Sequence, residues 1–305
     1  MTTNVQEMFG SLLLDKKIVA SLTAMGFEEP SPIQEQTIPL VLEGSDVIGQ
    51  AQTGTGKTAA FGIPVVQSIT DHRHIQALIM TPTRELAIQV AEEIGKIGRT
   101  SKIKALPVYG GQPIDRQIRA LRSGVQIVIG TPGRLIDHIN RKTIKLDHIK
   151  FLVLDEADEM LDMGFVDDME EIMKNLPAET MPRPILSLTK KYMKAPKNVT
   201  ISKEELTVPL IDQYYFETKD KIEGLCRLLD AEIDGKLIIF CRTKKGVDDL
   251  AIALGSRGYM AEGLHGDLSQ TQRDRVMKKF RDGTADILIA TDVAARGIDI
   301  DNITH

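Results

Sequence analysis

Ala51-Gln52-Thr53-Gly54-Thr55-Gly56-Lys57-Thr58 follows the apolar pair Val47-Ile48 and leads into Ala59, Ala60 and Phe61. Strand, glycine-rich loop and helix in that order form the context in which such a loop binds phosphate. Its backbone N–H groups can converge on phosphate oxygens, Lys57 supplies a fixed positive charge to the terminal phosphates, and the Thr58 hydroxyl is placed to hold Mg2+. An ordinary flexible turn would account for the glycines but not for the Gly56-Lys57-Thr58 that completes the pattern. Ala51 departs from the usual leading glycine.

A second acidic element belongs with this loop. Phe151-Leu152-Val153-Leu154 reads as a strand that delivers Asp155 and Glu156 to its end. There Asp155 can hold the metal ion and Glu156 can orient or deprotonate water, which is most of what phosphoryl transfer requires. The acids that follow, Asp162, Asp167, Asp168 and Glu170, read as a solvated helix face.

Composition sets the frame. A chain of 305 residues suggests two domains, and 42% hydrophobic content suffices for two cores. The two cysteines, Cys226 and Cys241, have neither metal-ligand nor disulfide-framework spacing, so they read as packing residues in a reducing compartment. Met1 to Gln6 lacks a secretory pattern and no stretch is apolar enough to span a bilayer, so a soluble cytoplasmic protein without a membrane partner is expected. A net charge of −5 argues against coating nucleic acid by bulk basicity and leaves room for a local basic groove.

Apolar runs at 75–80, 125–129 and 151–154 predict buried strands separated by helical spacing, with Leu86, Val90, Ile94 and Ile97 on one helix face and Met169, Ile172, Met173 and Leu176 on another. That alternation predicts an α/β fold with a parallel sheet. After Val199-Thr200-Ile201 the chain turns polar, and 205–209 reads as a linker between a first domain, 1–204, and a second, 210–305. The second repeats the alternation, with strands at 236–240 and 285–290 around a helix at 245–254 and no phosphate loop. The cleft between the domains is the expected site, because ligands of such sheets bind at strand C-terminal ends.

Asp155-Glu156-Ala157-Asp158 resembles the signature of the DEAD-box RNA helicases, and the resemblance covers nearly the whole chain. It implies two tandem RecA-like parallel-sheet domains joined by a flexible linker. Gly26-Phe27-Glu28-Glu29-Pro30-Ser31-Pro32-Ile33-Gln34 is similar to the family's adenine-recognising motif, which implies ATP over GTP, with Gln34 on the base edge and Phe27 stacked on it. Pro82-Thr83-Arg84, Gly110-Gly111 and Thr131-Pro132-Gly133-Arg134 resemble the first domain's RNA-backbone contacts, glycines allowing close approach and arginines meeting phosphate. In the second domain Arg242-Thr243, His265-Gly266, Gln270, Arg273 and Thr291 resemble further RNA contacts, and Asp299 a ribose contact. His265 taken alone reads as a structural histidine, and His72 and His74 as loop residues. Asp158 to Phe165 is similar to the cold-shock members of Gram-positive bacteria, which implies roles in cold adaptation, RNA decay or ribosome assembly.

The family pattern breaks in two places. After Pro177-Ala178-Glu179 a strand ending in Ser-Ala-Thr is due, but Thr180-Met181-Pro182 follows, and only a threonine, Thr180, is matched. Loss of a central strand would strand backbone groups on both neighbours, so a missing segment is expected there. The chain also stops at His305, before the family's arginine-rich motif, which leaves the second domain incomplete. Three functions follow in order of fit: an ATP-dependent helicase that closes on single-stranded RNA and locally unwinds or remodels short RNA duplexes and RNA–protein complexes with little sequence preference, an ATP-gated RNA clamp or scaffold, and a phosphate-loop kinase or small-molecule ATPase.

Overall fold

A computed structural model describes residues 9, 12–51, 54–70, 73–177, 196–201, 212, 214–231, 235–292, 300 and 303–305. The chain divides into two compact units, Met1–Val208 and Pro209–His305. The expected linker, 205–209, lies outside the described residues.

In the first unit, helices α1 (Lys16–Ala24) and α2 (Pro32–Leu42) precede β1 (Val47–Gln50) and α3 (Lys57–Gln67). There follow β2 (Ala77–Met80), α4 (Arg84–Ile97), β3 (Ala105–Val108), α5 (Ile114–Arg122), β4 (Ile127–Gly130), α6 (Pro132–Asn140), β5 (Phe151–Leu154), α7 (Ala157–Asp162), α8 (Val166–Met173) and β6 (Lys197–Thr200). One sheet runs β3-β4-β2-β5 and a second pairs β1 with β6, all parallel.

Side-chain alternation explains why this sheet is covered on both faces. Ala77, Ile79, Ile127 and Ile129 feed a core shared with Ile18, Leu22, Ile38, Ile63, Val90 and Ile94. Leu78, Met80 and Val128 feed the opposite core with Leu135, Met160, Met169 and Ile172. Strands buried on both faces must be apolar throughout, which is why β2 and β4 were legible as continuous runs. The expectation of full burial fails for Phe151–Leu154, whose four residues are each half-buried. Among the described residues β5 is an edge strand, and so is β3. Pro107 sits in β3 without breaking the ladder because an edge strand needs only one row of partners.

The second unit contains α9 (Lys221–Asp230), β7 (Leu237–Cys241), α10 (Lys244–Ser256), β8 (Ala261–Leu264), α11 (Gln270–Arg281) and β9 (Ile287–Thr291). Its parallel sheet runs β7-β9-β8, with Leu264, Phe280 and Leu288 on one face and Val247, Leu254, Ile287 and Ile289 on the other.

Gly130, at the end of β4, admits no side chain. A Cβ there would lie 2.7 Å from Leu135 Cδ2 and 2.9 Å from the Val108 carbonyl oxygen. Gly130→Ala is therefore expected to destabilise the protein by about 1–3 kcal/mol. Adding Leu135→Ala should not restore the loss, because the backbone clash remains. Urea midpoints measure both, and an unchanged midpoint for the single variant would contradict this packing.

Candidate functional site: a phosphate loop and two strand-end edges

The phosphate loop is gripped from behind by the start of α2. Ser31 Oγ donates to the Thr55 carbonyl at 2.8 Å, and Gln34 Nε2 donates to the Gly56 carbonyl at 3.2 Å. Gln34 Oε1 in turn accepts from the Ser31 backbone N–H at 3.0 Å, one half of a capping box. Gln34 is 2% exposed. The side chain expected on a base edge is thus first a brace for the loop. Phe27 packs against the first core and meets Phe9 edge-on, ring centroids 6.4 Å apart.

Gly54 and Gly56 both have left-handed backbone, φ +81° and +87°, and a Cβ on Gly56 would fall 2.2 Å from Gln34 Nε2. Only glycine fits. Gly56 is the N-cap of α3 and no side chain caps that helix, so its first-turn N–H groups are available to an anion, with Lys57 and Thr58 as the first two helical residues. Ala51 packs with Ile33, Ala60, Val199 and Ile201. Thr55 is buried. Gln52 and Thr53 lie outside the described residues.

The carboxylates stand at the end of β5. Asp155 N–H donates to the Met80 carbonyl at 3.0 Å, which ties the acidic turn to the neighbouring strand. Burial pushes the Asp155 carboxyl above its ordinary range and Lys57 opposes the shift. Glu156 is raised likewise, by burial first and by the Asp155 charge second. Glu156 also holds φ 52°, ψ 51°, a left-handed conformation that a non-glycine residue adopts at a cost of order 1 kcal/mol or more. A buried and a half-buried carboxylate near one ammonium group suit a divalent cation. Among the described residues no three His, Cys, Asp or Glu side chains are arranged as a metal cage. The Thr58 hydroxyl and the Asp155 carboxylate are oxygen donors of the kind Mg2+ takes together with phosphate oxygens and water.

The other expected residues of the first unit gather on the same edge, at the ends of β2, β3 and β4. Pro82 and Thr83 are buried, and the Thr83 hydroxyl caps α4 by accepting from Leu86 N–H at 3.3 Å. Arg84 lies beside Gly110, where a Cβ would come 3.7 Å from its Nη2. Gly111 and Gly133 are exposed, Thr131 is the N-cap of α6, and Arg134 is 14% exposed. The Arg134 guanidinium donates through Nη1 to the Gln112 carbonyl and to Gln117 Oε1, both at 3.1 Å.

In the second unit the expected residues again follow strand ends. Arg242 and Thr243 come after β7, where the Thr243 hydroxyl accepts from Gly246 N–H at 3.0 Å to cap α10. His265, after β8, is buried and bonds Asp248 through Nε2 at 2.9 Å, and Gly266 beside it is exposed. Thr291 closes β9, and Arg273 is buried within α11 rather than presented to solvent. The Gln270 side chain and Asp299 lie outside the described residues. Cys226 and Cys241 are free thiols, and no described helix is long and apolar enough to cross a membrane.

Sequence reasoning missed Ser31, Gln117, His138 and Asp248. Ser31 stands three residues before Gln34, a capping-box spacing, and Gln117 occupies an inward position among Ile114, Ile118 and Leu121. His138 is fully buried, and its Nε2 meets Gln117 Oε1 at 3.0 Å while Nδ1 meets the Thr143 hydroxyl at 2.7 Å. Burial, then Arg134, lowers its pKa. The unfolded state therefore takes a proton near pH 6.5 before the folded state does, so stability falls as pH drops through that value. His138→Gln removes the titration. It is expected to be less stable than the parent at pH 7, with a gap that narrows by pH 5 in urea unfolding. A gap that stays constant with pH would contradict the buried neutral imidazole.

Comparison with known proteins bears on this geometry. Residues 31–190 match the family model described as DEAD/DEAH box helicase, and residues 220–305 match the helicase conserved C-terminal domain. The ATP-dependent RNA helicase CshA of Listeria monocytogenes is 54% identical over 308 aligned positions, covering 97% of this chain and 59% of that relative. The CshA of Geobacillus kaustophilus is 53% identical, covering 97% and 66%. The chain thus spans about three fifths of the length of these curated relatives. Among solved structures, Saccharomyces cerevisiae Dbp5 bound to RNA and ADP BeF3 is 33% identical with a TM-score of 0.83, covering 97% of this chain and 78% of that one. A DEAD box protein from Methanococcus jannaschii is 42% identical with a TM-score of 0.61, covering 97% and 83%. Both units therefore have the parallel α/β fold of tandem RecA-like helicase domains.

The family match runs across the break, to residue 190. Thr180 and the missing segment expected before it lie outside the described residues. The aligned length exceeds the 305 residues present, so the relatives carry some positions that this chain lacks. With the helicase model spanning more than half of its residues, the chain belongs to the DEAD/DEAH box helicase family.

Proposed function

We propose that this chain is the catalytic core of an RNA helicase that hydrolyses ATP and uses that reaction to hold and release RNA. The observation that carries the reading is one sheet edge. The ends of β2, β3 and β4 bear Arg84, Gly110-Gly111 and Thr131–Arg134, and the end of β5, in the same sheet, bears Asp155 and Glu156. A change at the carboxylates is then transmitted through paired backbone to the segments that would meet RNA.

In this reading the N–H groups at the start of α3 and the Lys57 ammonium hold the phosphates, and Gln34 and Phe27 flank the base. Thr58 and Asp155 would hold Mg2+, which when bound supplies positive charge against the phosphate oxygens. Glu156 takes a proton from water as the water oxygen bonds to the γ-phosphorus and the bond to the β–γ bridging oxygen breaks, giving ADP and phosphate. Its raised pKa brings it nearer the working pH of a base. Asp299 would contact the ribose. Arg242, Thr243, His265, Gly266, Gln270, Arg273 and Thr291 would carry the RNA backbone onward, with little sequence preference because phosphate contacts carry none.

The reading extends to a bacterial cytoplasmic setting in cold adaptation, RNA decay or ribosome assembly, with partner proteins from those processes; the CshA names of the relatives support its cold-adaptation part. A clamp that binds RNA without turnover would have no use for Glu156 in its strained, half-buried position.

RNA-stimulated ATPase activity of the complete protein is expected to fall about 100-fold or more in Lys57→Ala and in Glu156→Gln. Undiminished turnover in either would sink the reading. ATP-dependent release of a short RNA duplex separates a helicase from a clamp, which would hold the duplex intact.

A further inference from the structure

Helix α5 is amphipathic in an unusual way: of its nine residues, all described, the one that is buried is polar, Gln117, at 4% exposure. A buried carboxamide is costly unless its groups are bonded, and three of this one's four hydrogen-bonding positions are filled. Its Nε2 donates to the Tyr109 carbonyl at 2.9 Å. Its Oε1 accepts from Arg134 Nη1 at 3.1 Å and meets His138 Nε2 at 3.0 Å. With Nε2 of His138 as donor, Nδ1 accepts from the Thr143 hydroxyl at 2.7 Å, which fixes the ring behind the amide.

The three elements joined this way are the turn entering Gly110-Gly111, helix α5 and the start of α6. Tyr109 O belongs to the residue before Gly110, and Arg134 lies in the first turn of α6 beside Gly133. Apolar packing could have joined α5 to the sheet without a desolvated amide. What an amide adds is fixed direction: one donor and one acceptor lock a carbonyl and a guanidinium at set positions.

We propose that Gln117 is a positioning residue for RNA engagement, setting the Gly110-Gly111 turn and the Arg134 fork as one preformed phosphate-binding unit. The proposal rests on the RNA-binding reading above. It predicts that removing the amide releases Arg134 and loosens the turn, so that binding loses affinity and also loses charge contact with phosphate. The phosphate loop belongs to other elements and keeps its affinity for nucleotide.

The test compares the complete wild-type protein with Gln117→Ala and Gln117→Glu. A labelled oligouridine RNA is titrated in the presence of ADP and beryllium fluoride at several salt concentrations, and ADP binding is titrated without RNA. For Gln117→Ala the RNA Kd is expected to rise about 10-fold or more. The slope of log K against log salt should fall by about one phosphate contact. The ADP Kd should stay within twofold. Gln117→Glu keeps an acceptor for Arg134 and loses the donor to Tyr109, so its Kd should rise less and its salt slope should match wild type. If the alanine variant does not fold, the glutamate variant decides: a raised Kd with an unchanged slope supports the proposal. RNA Kd and slope equal to wild type in a folded variant, whatever its unfolding midpoint, would overturn it and show a merely structural glutamine. A wild-type protein that binds no RNA overturns the function reading itself.

Discussion

Two hydrogen bonds hold the site together: Ser31 Oγ to the Thr55 carbonyl and Gln34 Nε2 to the Gly56 carbonyl. In a trans peptide the N–H of the next residue points away from the carbonyl before it. Fixing those two carbonyls against α2 therefore turns the N–H groups of Gly56 and Lys57 away from α2, toward any anion in front of the loop. The glycines permit this geometry and the two side chains hold it. The loop's selectivity for phosphate thus depends on a helix N-terminus some 20 residues earlier in the chain, joined to it by bonds that a sheet alone would not provide.

The rest of the site follows from a parallel sheet, which sends every strand end to one edge. β2, β3, β4 and β5 deliver Arg84, Gly110-Gly111, Thr131–Arg134 and Asp155-Glu156 there, and the backbone bond from Asp155 to Met80 joins the acidic turn to the strand that leads to Arg84. Two kinds of constraint meet on this edge. Gln117 and His138 form a satisfied buried network that resists movement. Glu156 is held in a strained backbone conformation beside the buried Asp155 carboxylate, whose charge helps raise its pKa. Rigidity under the segments proposed to meet RNA, and stored strain under the carboxylates proposed to act in hydrolysis, is a division suited to coupling them.

Much of this was legible in the sequence because burial leaves strong patterns. β2 and β4 are apolar on both faces and read as runs, and the corresponding strands of the second unit, β7 and β9, read the same way. β3, with Pro107, β6, with Lys197 and Asn198, and β8, with Glu262 and Gly263, lack that signature and were not legible. The phosphate loop and the acidic turn were legible since their residue types are dictated by chemistry. Roles set by tertiary contacts were not: the sequence does not show that Gln34 also braces the loop through Gly56, nor that Gln117, on a basic helix, is buried. Arg273 and Arg134 show the same limit, since a cationic residue type does not reveal how much of it the protein encloses.

The claim that α2 aims the phosphate loop is tested most directly by the ADP affinity of Gln34→Ala and Ser31→Ala, measured without RNA and beside circular dichroism. Loss of either brace should weaken ADP binding about fivefold, since one net hydrogen bond holding a loop is worth about 1 kcal/mol. Helical content should stay the same. Wild-type ADP affinity in both folded variants would mean that the loop holds its own shape and that α2 merely lies behind it.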